Sequence, residues 1–468
     1  MTRSNEEDAL ADRPVSRRQV LAFRAAAQSL DRRRPATDLL DVAAACGVQD
    51  TPPGNADVSL AARLDIDAPV VEEAVARKEL VLTWSMRGAP HVFPPEDFAV
   101  FTLGARPAAG TVEALWGQPE HSLVEIERAM VAVIGSEVRP KGEVSGAVTA
   151  SVPAELAPWC PGCKVHHPSE SVFRAAPLLG RLVLTSTAPV LLATAKAWLG
   201  ADATGDVDVL RTDLLRRYLH CYAPTTSGDF AQWAGIAKSD AKERWAAVAG
   251  ALVPARGDTK GFVLEEDLQA LDDPPTSTGV RLLPAEDAFL QARDRDVLFP
   301  DPANRKAAFP ILGGPGVVLR EALPVATWRG VAKGRRYEVT CDALRNAGRG
   351  GVGRDRGRGG AGGPRARSRL RGRHPDTMTD FSNLGRPASS AVGARSIPMA
   401  PLRSVLRARP ERTRSHRLHP PCLPAATASR RRLPPPRPAR HQPTRPSRSG
   451  RGFGPGTSER RWWHPTMG

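Results

Sequence analysis

The sequence predicts a mainly α (α+β) chain built from repeated helix-then-hairpin units and followed by a small β domain. Three observations predict it. Amphipathic segments followed by two β-prone runs around a turn occur three times, at about residues 70–101, 169–192 and 209–264. Past Gly279 the texture changes to short strands separated by Gly and Pro. Past Thr340 it changes again, to Arg, Pro, Gly, Ala and Ser with few aliphatics, a composition that does not bury a core. Helices feeding a hairpin make a winged helix. The expected order is a frayed N-terminus (1–14), three tandem winged helices (15–107, 108–203 and 204–275), a small β-barrel (276–342) and a basic tail (343–468).

In the first unit Ser16 reads as the N-cap of a helix running to Leu30, with Val20, Leu21, Phe23 and Ala27 apolar. Thr37 reads as the cap of a second helix, which Gly47 ends. Pro52, Pro53 and Gly54 hold the next loop out of helix, and a short third helix follows over 57–64. Val70, Val71, Ala74 and Val75 fall at helical spacing. Residues 80–86 are β-prone, Arg87-Gly88-Ala89-Pro90 supplies the turn, and His91, Val92 and Phe93 return. Arg87 and His91 are therefore expected near the tip of a wing, and Trp84 and Met86 in the core.

The second unit has helices over 122–134, 142–150 and 169–179, then two strands around Ala188-Pro189. In the third, residues 209–222 form an amphipathic helix, Thr226 or Ser227 caps the next, and 239–248 reads as a recognition helix. A hairpin around Arg256-Gly257-Asp258-Thr259 completes it. The β domain takes strands at 280–284, 316–319, 325–328 and 336–340.

The formal net charge is +16, but its placement matters more than its size. From Arg345 onward there are 28 Arg, no Lys and five acidic residues, a charge of about +23, which leaves about −7 for everything before it. The folded part is mildly acidic, so contacts with nucleic acid must come from local patches. An Arg-rich, Lys-free tail is what a GC-rich reading frame yields out of register after about Cys341; the other reading is a basic disordered tail. Six scattered cysteines make no disulfide framework and fit a reducing cytoplasm. The first 18 residues carry no apolar core, and no run reaches the ~18 apolar residues of a membrane span.

Several residues are chemically suggestive. Gln49, Asp50 and Thr51 lie in the loop stiffened by Pro52 and Pro53. Gln49 can orient a water, Asp50 act as base or electrostatic stabiliser, and Thr51 add a hydrogen bond. The alternative is an ordinary turn. Arg87 and His91 are candidate DNA contacts on the wing. Lys242 and Arg244, with Arg256 on the hairpin, are candidates on the third unit, although Asp240 and Glu243 interleave. Arg329, Lys333, Arg335 and Arg336 form the densest basic run of the β domain. Asp287, Arg293 and Asp294 read as a structural ion network. Cys160 and Cys163, with His166 and His167 behind them, make half a zinc site, completed only if His220 or Cys221 lies near. A packed thiol pair or redox chemistry are the other readings, and no cofactor is otherwise expected.

Five stretches carry a family resemblance: GVQDTPPGNADVSLAARL, LVLTWSMRGAPHVFPPEDF, RRYLHCYAPTTSGDFAQWAG, VRLLPAEDAFLQARDRDVLFPDPANRKAAF and PVATWRGVAKGRRYEV. Over about residues 15–340 the chain resembles the AlkZ-like group of tandem winged-helix DNA glycosylases. The resemblance implies base excision of bulky alkylated or crosslinked purines, and a Gln-apolar-Gln or Gln-apolar-Asp motif that places the hydrolytic water. Here that position reads Gln49-Asp50-Thr51, with Asp50 at the apolar place and Thr51 at the second polar one. The expectation is a monomeric, nucleoid-associated cytoplasmic protein that binds DNA, either as a glycosylase or as a non-catalytic binder or regulator. A damaged gene product is a third reading.

Overall fold

The computed structural model describes residues 14–311, 313–333 and 336–345, and the backbone of 367–371. The predicted N-terminal fraying and almost all of the basic tail lie outside these residues, as does Arg335; Lys333 and Arg336 are described in backbone only.

The architecture is mixed α/β. Sixteen strands occur among the described residues, more sheet than the mainly α expectation allowed. In chain order they are β1 (Pro14–Val15), β2 (Val48–Gln49), β3 (Val81–Trp84), β4 (Pro90–Phe93), β5 (Arg139–Pro140), β6 (Trp159–Cys160), β7 (Val165–His166), β8 (Leu182–Thr187) and β9 (Val190–Thr194). There follow β10 (Leu252–Gly257), β11 (Gly261–Leu264), β12 (Val280–Leu283), β13 (Gly316–Arg320), β14 (Leu323–Lys333), β15 (Arg336–Ala343) and β16 (Arg367–Arg371).

Three hairpins stand where the turn residues place them: β3–β4, β8–β9 and β10–β11, each after helices. The first two fuse. Leu82 of β3 pairs with Leu184 of β8, so the sheet runs β2-β4-β3-β8-β9-β5. The third hairpin makes its own sheet with β1, in the order β1-β10-β11. The last five strands form an antiparallel sheet in sequence order, β12 to β16. Its end strands are not paired with each other, so the expected barrel is an open sheet among the described residues.

Local signals explain most helices. Ser16 caps Arg17–Ala27 in a full capping box with Gln19. Thr226 caps Ser227–Ala234, and Gly235 ends that helix with φ +74°. Thr37 is not a cap: it sits inside a 3₁₀ turn, Ala36–Asp38, before the helix Leu39–Ala44.

Buried ion pairs tie distant segments to one core. Arg24 donates to both oxygens of Asp294 (2.9 and 2.7 Å) and to the carbonyls of Ala223 and Pro224. Arg63 and Asp287, both almost fully buried, form a second two-bond pair (2.8 and 2.9 Å). The Asp287–Asp294 segment thus does carry a structural ion network, but its arginines come from the first unit. Such pairs fix geometry more than they stabilise, and removing one partner leaves a costly lone charge. Among the described residues no helix is long and apolar enough to cross a membrane.

Candidate active site

The loop at Gln49 is positioned by the first hairpin. β2 is only two residues long and borrows its geometry from β4, with Val48 opposite Val92 and Gln49 opposite His91. The Asp50 amide continues the ladder by donating to the Pro90 carbonyl at 2.9 Å. Gln49 is 7% exposed. Its Oε1 accepts a hydrogen bond from Arg87 Nη2 at 2.9 Å. Arginine has no acceptor, so this bond decides which end of the amide faces Arg87.

Arg87 does stand in the turn between β3 and β4 and is exposed, but the helix Ser227–Ala234 packs against that turn. The other terminal nitrogen of Arg87 donates to the carbonyl of Trp233, at the end of the helix Ser227–Ala234. The approach is close: a Cβ on Gly235 would lie 3.1–3.3 Å from Arg87 Cγ, N and Cα. Arg87 itself has φ +60°, a left-handed conformation that the surrounding contacts hold. The residue still reaches solvent, yet burial is the main influence on its guanidinium, which is held down to about 10, with nearby Arg293 adding to the effect. Glu286, Arg293 and Tyr222 are near enough to act on the same charge, and Arg293 in turn feels Arg295.

His91 departs further from its expected place. It is 3% exposed, and its Nδ1–H donates to the Ala89 carbonyl at 2.9 Å. Burial, and then the Arg87 charge, push its pKa down to about 3, so the ring is neutral and packed under the loop rather than offered to DNA.

Asp50 and Thr51 differ from Gln49. Asp50 Oδ1 accepts from the backbone N–H groups of Gly54 (2.8 Å) and Ala56 (3.1 Å), at the start of the helix Asn55–Ala61. Oδ2 accepts from the Thr187 hydroxyl at 2.6 Å. The carboxylate is taken up in capping a helix and joining the second hairpin, so the expected free base is a clamp. The Thr51 hydroxyl oxygen is buried with no hydrogen-bond partner among the described residues, an orphan that invites a polar ligand.

The remaining basic candidates separate. Arg244 is 5% exposed and spends its donors on Asp240 and on the carbonyls of Gly104 and Arg106. It is an internal strut, not a DNA contact. Lys242 and Arg256 face solvent. Arg329 is exposed and donates to the Gly313 carbonyl at 2.7 Å. Cys160 and Cys163 do meet a histidine, and it is His167; His166 turns to the Ala157 carbonyl and packs on Trp159. His220 bonds Asp267, and Cys221 donates to the Ala45 carbonyl, so neither completes that cluster.

Sequence reasoning placed Arg293 in an ion network rather than beside Arg87, and missed Arg24 and Arg63 altogether. Arg24 carried one faint signal, a charge beside Phe23 on the apolar side of an otherwise regular helix. A cavity of about 370 Å³ lies elsewhere, lined by Leu39, Leu40, Leu64, Ile66 and Val70, and takes in none of the candidate residues.

The mixed α/β fold, with its hairpins gathered around Gln49 and Arg87, is of the kind found in a family of DNA glycosylases. The profile of the family described as DNA glycosylase AlkZ-like matches residues 42–358, and the chain belongs to that family. Among solved structures, the fold is similar to the Streptomyces sahachiroi DNA glycosylase AlkZ, with a TM-score of 0.59 and 23% identity over 72% of this chain and 93% of that one. No curated protein matches the chain.

Proposed function

We propose that this protein is a monofunctional DNA glycosylase that hydrolyses the N-glycosidic bond of bulky alkylated or crosslinked purines. The observation that carries the reading is the Gln49 amide, oriented by Arg87 with Arg293 close by. In this reading the three hairpin-bearing segments act as tandem winged helices (15–107, 108–203, 204–275), and the open sheet at 276–342 flanks them. The lesion nucleotide is turned out of the stack toward Gln49. Arg87 and Arg293 face the DNA phosphates, with Lys242, Arg256 and Arg329 as outer contacts.

Gln49 Oε1 gives one lone pair to Arg87 and offers the other to a water proton. That water adds through oxygen to C1′ as the C1′–N bond breaks, and its proton passes to solvent. The bonding pair leaves with the purine. Alkylation at a ring nitrogen gives the purine a positive charge, which those electrons neutralise. The leaving group therefore needs no acid, and a neutral amide is enough to position the nucleophile. Asp50 keeps the loop in place, and the Thr51 hydroxyl is free to meet the water or the sugar.

The test is release of a bulky N7-alkylguanine from duplex DNA, read as abasic sites. Release by the intact protein and its loss in Gln49→Ala, with DNA affinity retained, is the expected result. Bound DNA with no release at enzyme excess would leave the second reading, a non-catalytic DNA-binding protein. That reading is favoured by one fact: both oxygens of Asp50 are already committed.

A further inference from the structure

The ribbon β6–β7 has no evident means of holding itself. Each strand is two residues long, with Trp159 opposite His166 and Cys160 opposite Val165. Trp159 and Val165 are 54% and 52% exposed, so little burial supports it. A two-stranded ribbon of this size is not stable alone.

Its turn has a definite shape. The Lys164 amide donates to the Cys160 carbonyl at 2.8 Å, and Lys164 has φ +55°. This folds Cys163 back toward Cys160, and the backbone amides of Gly162 and Cys163 face the Cys160 sulfur. One ligand atom from each of Cys160, Cys163 and His167 then lies within 4.8 Å of the others. A tetrahedral zinc with bonds of about 2.3 Å to sulfur and 2.0 Å to nitrogen holds its ligand atoms about 3.5–3.8 Å apart. The three ligand atoms are thus already gathered within 4.8 Å of one another.

His167 supplies the independent observation. Its Nδ1 lies 2.6 Å from the Pro168 carbonyl, which places the ring proton on that nitrogen. Nε2 is then the ring's remaining ligand atom; it is buried, has no conventional hydrogen bond among the described residues, and faces the Cys160 sulfur. A histidine whose one nitrogen is tied to a backbone carbonyl while the other waits as an acceptor is prepared as a metal ligand. Its neighbour His166 is committed to the Ala157 carbonyl.

We propose that Cys160, Cys163 and His167 bind one zinc ion, with water in the fourth position, and that the ion staples the ribbon to the start of the helix Glu170–Ala175. The energy that fixes the ribbon then comes from metal ligation rather than from a core. The exposed Trp159 and Val165 are presented on a finger whose shape depends on the metal. The site does not depend on the glycosylase reading.

The full-length protein, purified under reducing conditions without chelator, should carry about one zinc per chain. Cys160→Ser combined with Cys163→Ser should remove it, His167→Ala should lower occupancy, and His166→Ala should leave it unchanged. Cobalt(II) added to the metal-free protein should give thiolate charge-transfer absorption and the intense ligand-field bands of tetrahedral coordination, both abolished by added zinc. Chelation should speed tryptic cleavage after Lys164. A wild-type protein that gives no such cobalt spectrum overturns the proposal. So does zinc retained in the double serine variant, or a Cys160–Cys163 disulfide in the reduced preparation. Because the cobalt experiment uses the unaltered chain, it stands even if a variant fails to fold.

Discussion

The first and third hairpins have the same local recipe and opposite surroundings. In β3 and β4 all eight residues are buried. One edge of that hairpin pairs with β2, the other with β8, and its turn is pressed against the end of the helix Ser227–Ala234. In β10 and β11 only Val263 and Leu264 are buried, and Arg256 and Gly257 are exposed. An open wing can reach across DNA; an enclosed wing can only build a floor. In this protein the enclosed one holds the proposed Gln49 site.

The difference was partly written in the chain. VLTW and PHVF read as nearly unbroken apolar runs, the pattern of strands covered on both faces, whereas LVPARG and GFVL mix polar residues and glycine. Placing Arg87 in the turn followed turn chemistry, which says nothing of what packs on that turn. The identity of the cover was not legible. The Trp233 carbonyl is 146 residues from Arg87, and Asp294 is 270 from Arg24. Local rules do carry the Ser16 capping box, the helix Ser122–Ile134 and the three turns. They do not carry the fusion of two hairpins through Leu82 and Leu184, or the open order of the last sheet among the described residues.

Truncating matched aromatics should give the widest separation between the hairpins. Trp84→Ala, in the enclosed one, should cost about 3–5 kcal/mol in urea unfolding. Phe262→Ala, in the open one and 39% exposed, should cost roughly 1 kcal/mol or less. Equal losses would erase the contrast.

The two turn arginines should separate by type of defect. Arg87→Ala removes the group that orients Gln49, and base release should fall by about 100-fold, while affinity for undamaged DNA changes a few-fold. Arg256→Ala should do the reverse, weakening binding modestly with the single-turnover rate preserved. A fall in rate for Arg256→Ala alone would move the site to the wrong hairpin.

Acid should act through the enclosed hairpin. The folded pKa of His91 is about 3, below its ordinary 6.5, so the unfolded chain binds the extra proton between those values. Stability contributed by the neutral ring is full above pH 6.5 and falls as pH drops below it, by about 1 kcal/mol over the first unit. His91→Gln should flatten that part of the stability profile, as denaturant midpoints at stepped pH will show. A profile unchanged by the substitution would mean the ring is not buried neutral.

Outer contacts should matter least. Lys242→Ala should weaken DNA binding uniformly across sequences and reduce the slope of log affinity against log salt by about 1. Arg244→Ala should instead lower stability, because it leaves Asp240 buried without its partner.

The hydrogen bond from Thr187 to Asp50 joins residues 137 positions apart. The two-residue strand and its loop lean on the first hairpin, and the second adds the Thr187 hydroxyl that fixes the other Asp50 oxygen. Residues 15–107 expressed alone would contain Gln49, Arg87 and His91 yet lack both Thr187 and the Trp233 carbonyl. Recombination that swaps one unit for another would preserve each hairpin and dismantle the place where they meet. The site is the property of an assembled chain, and it travels between proteins whole or not at all.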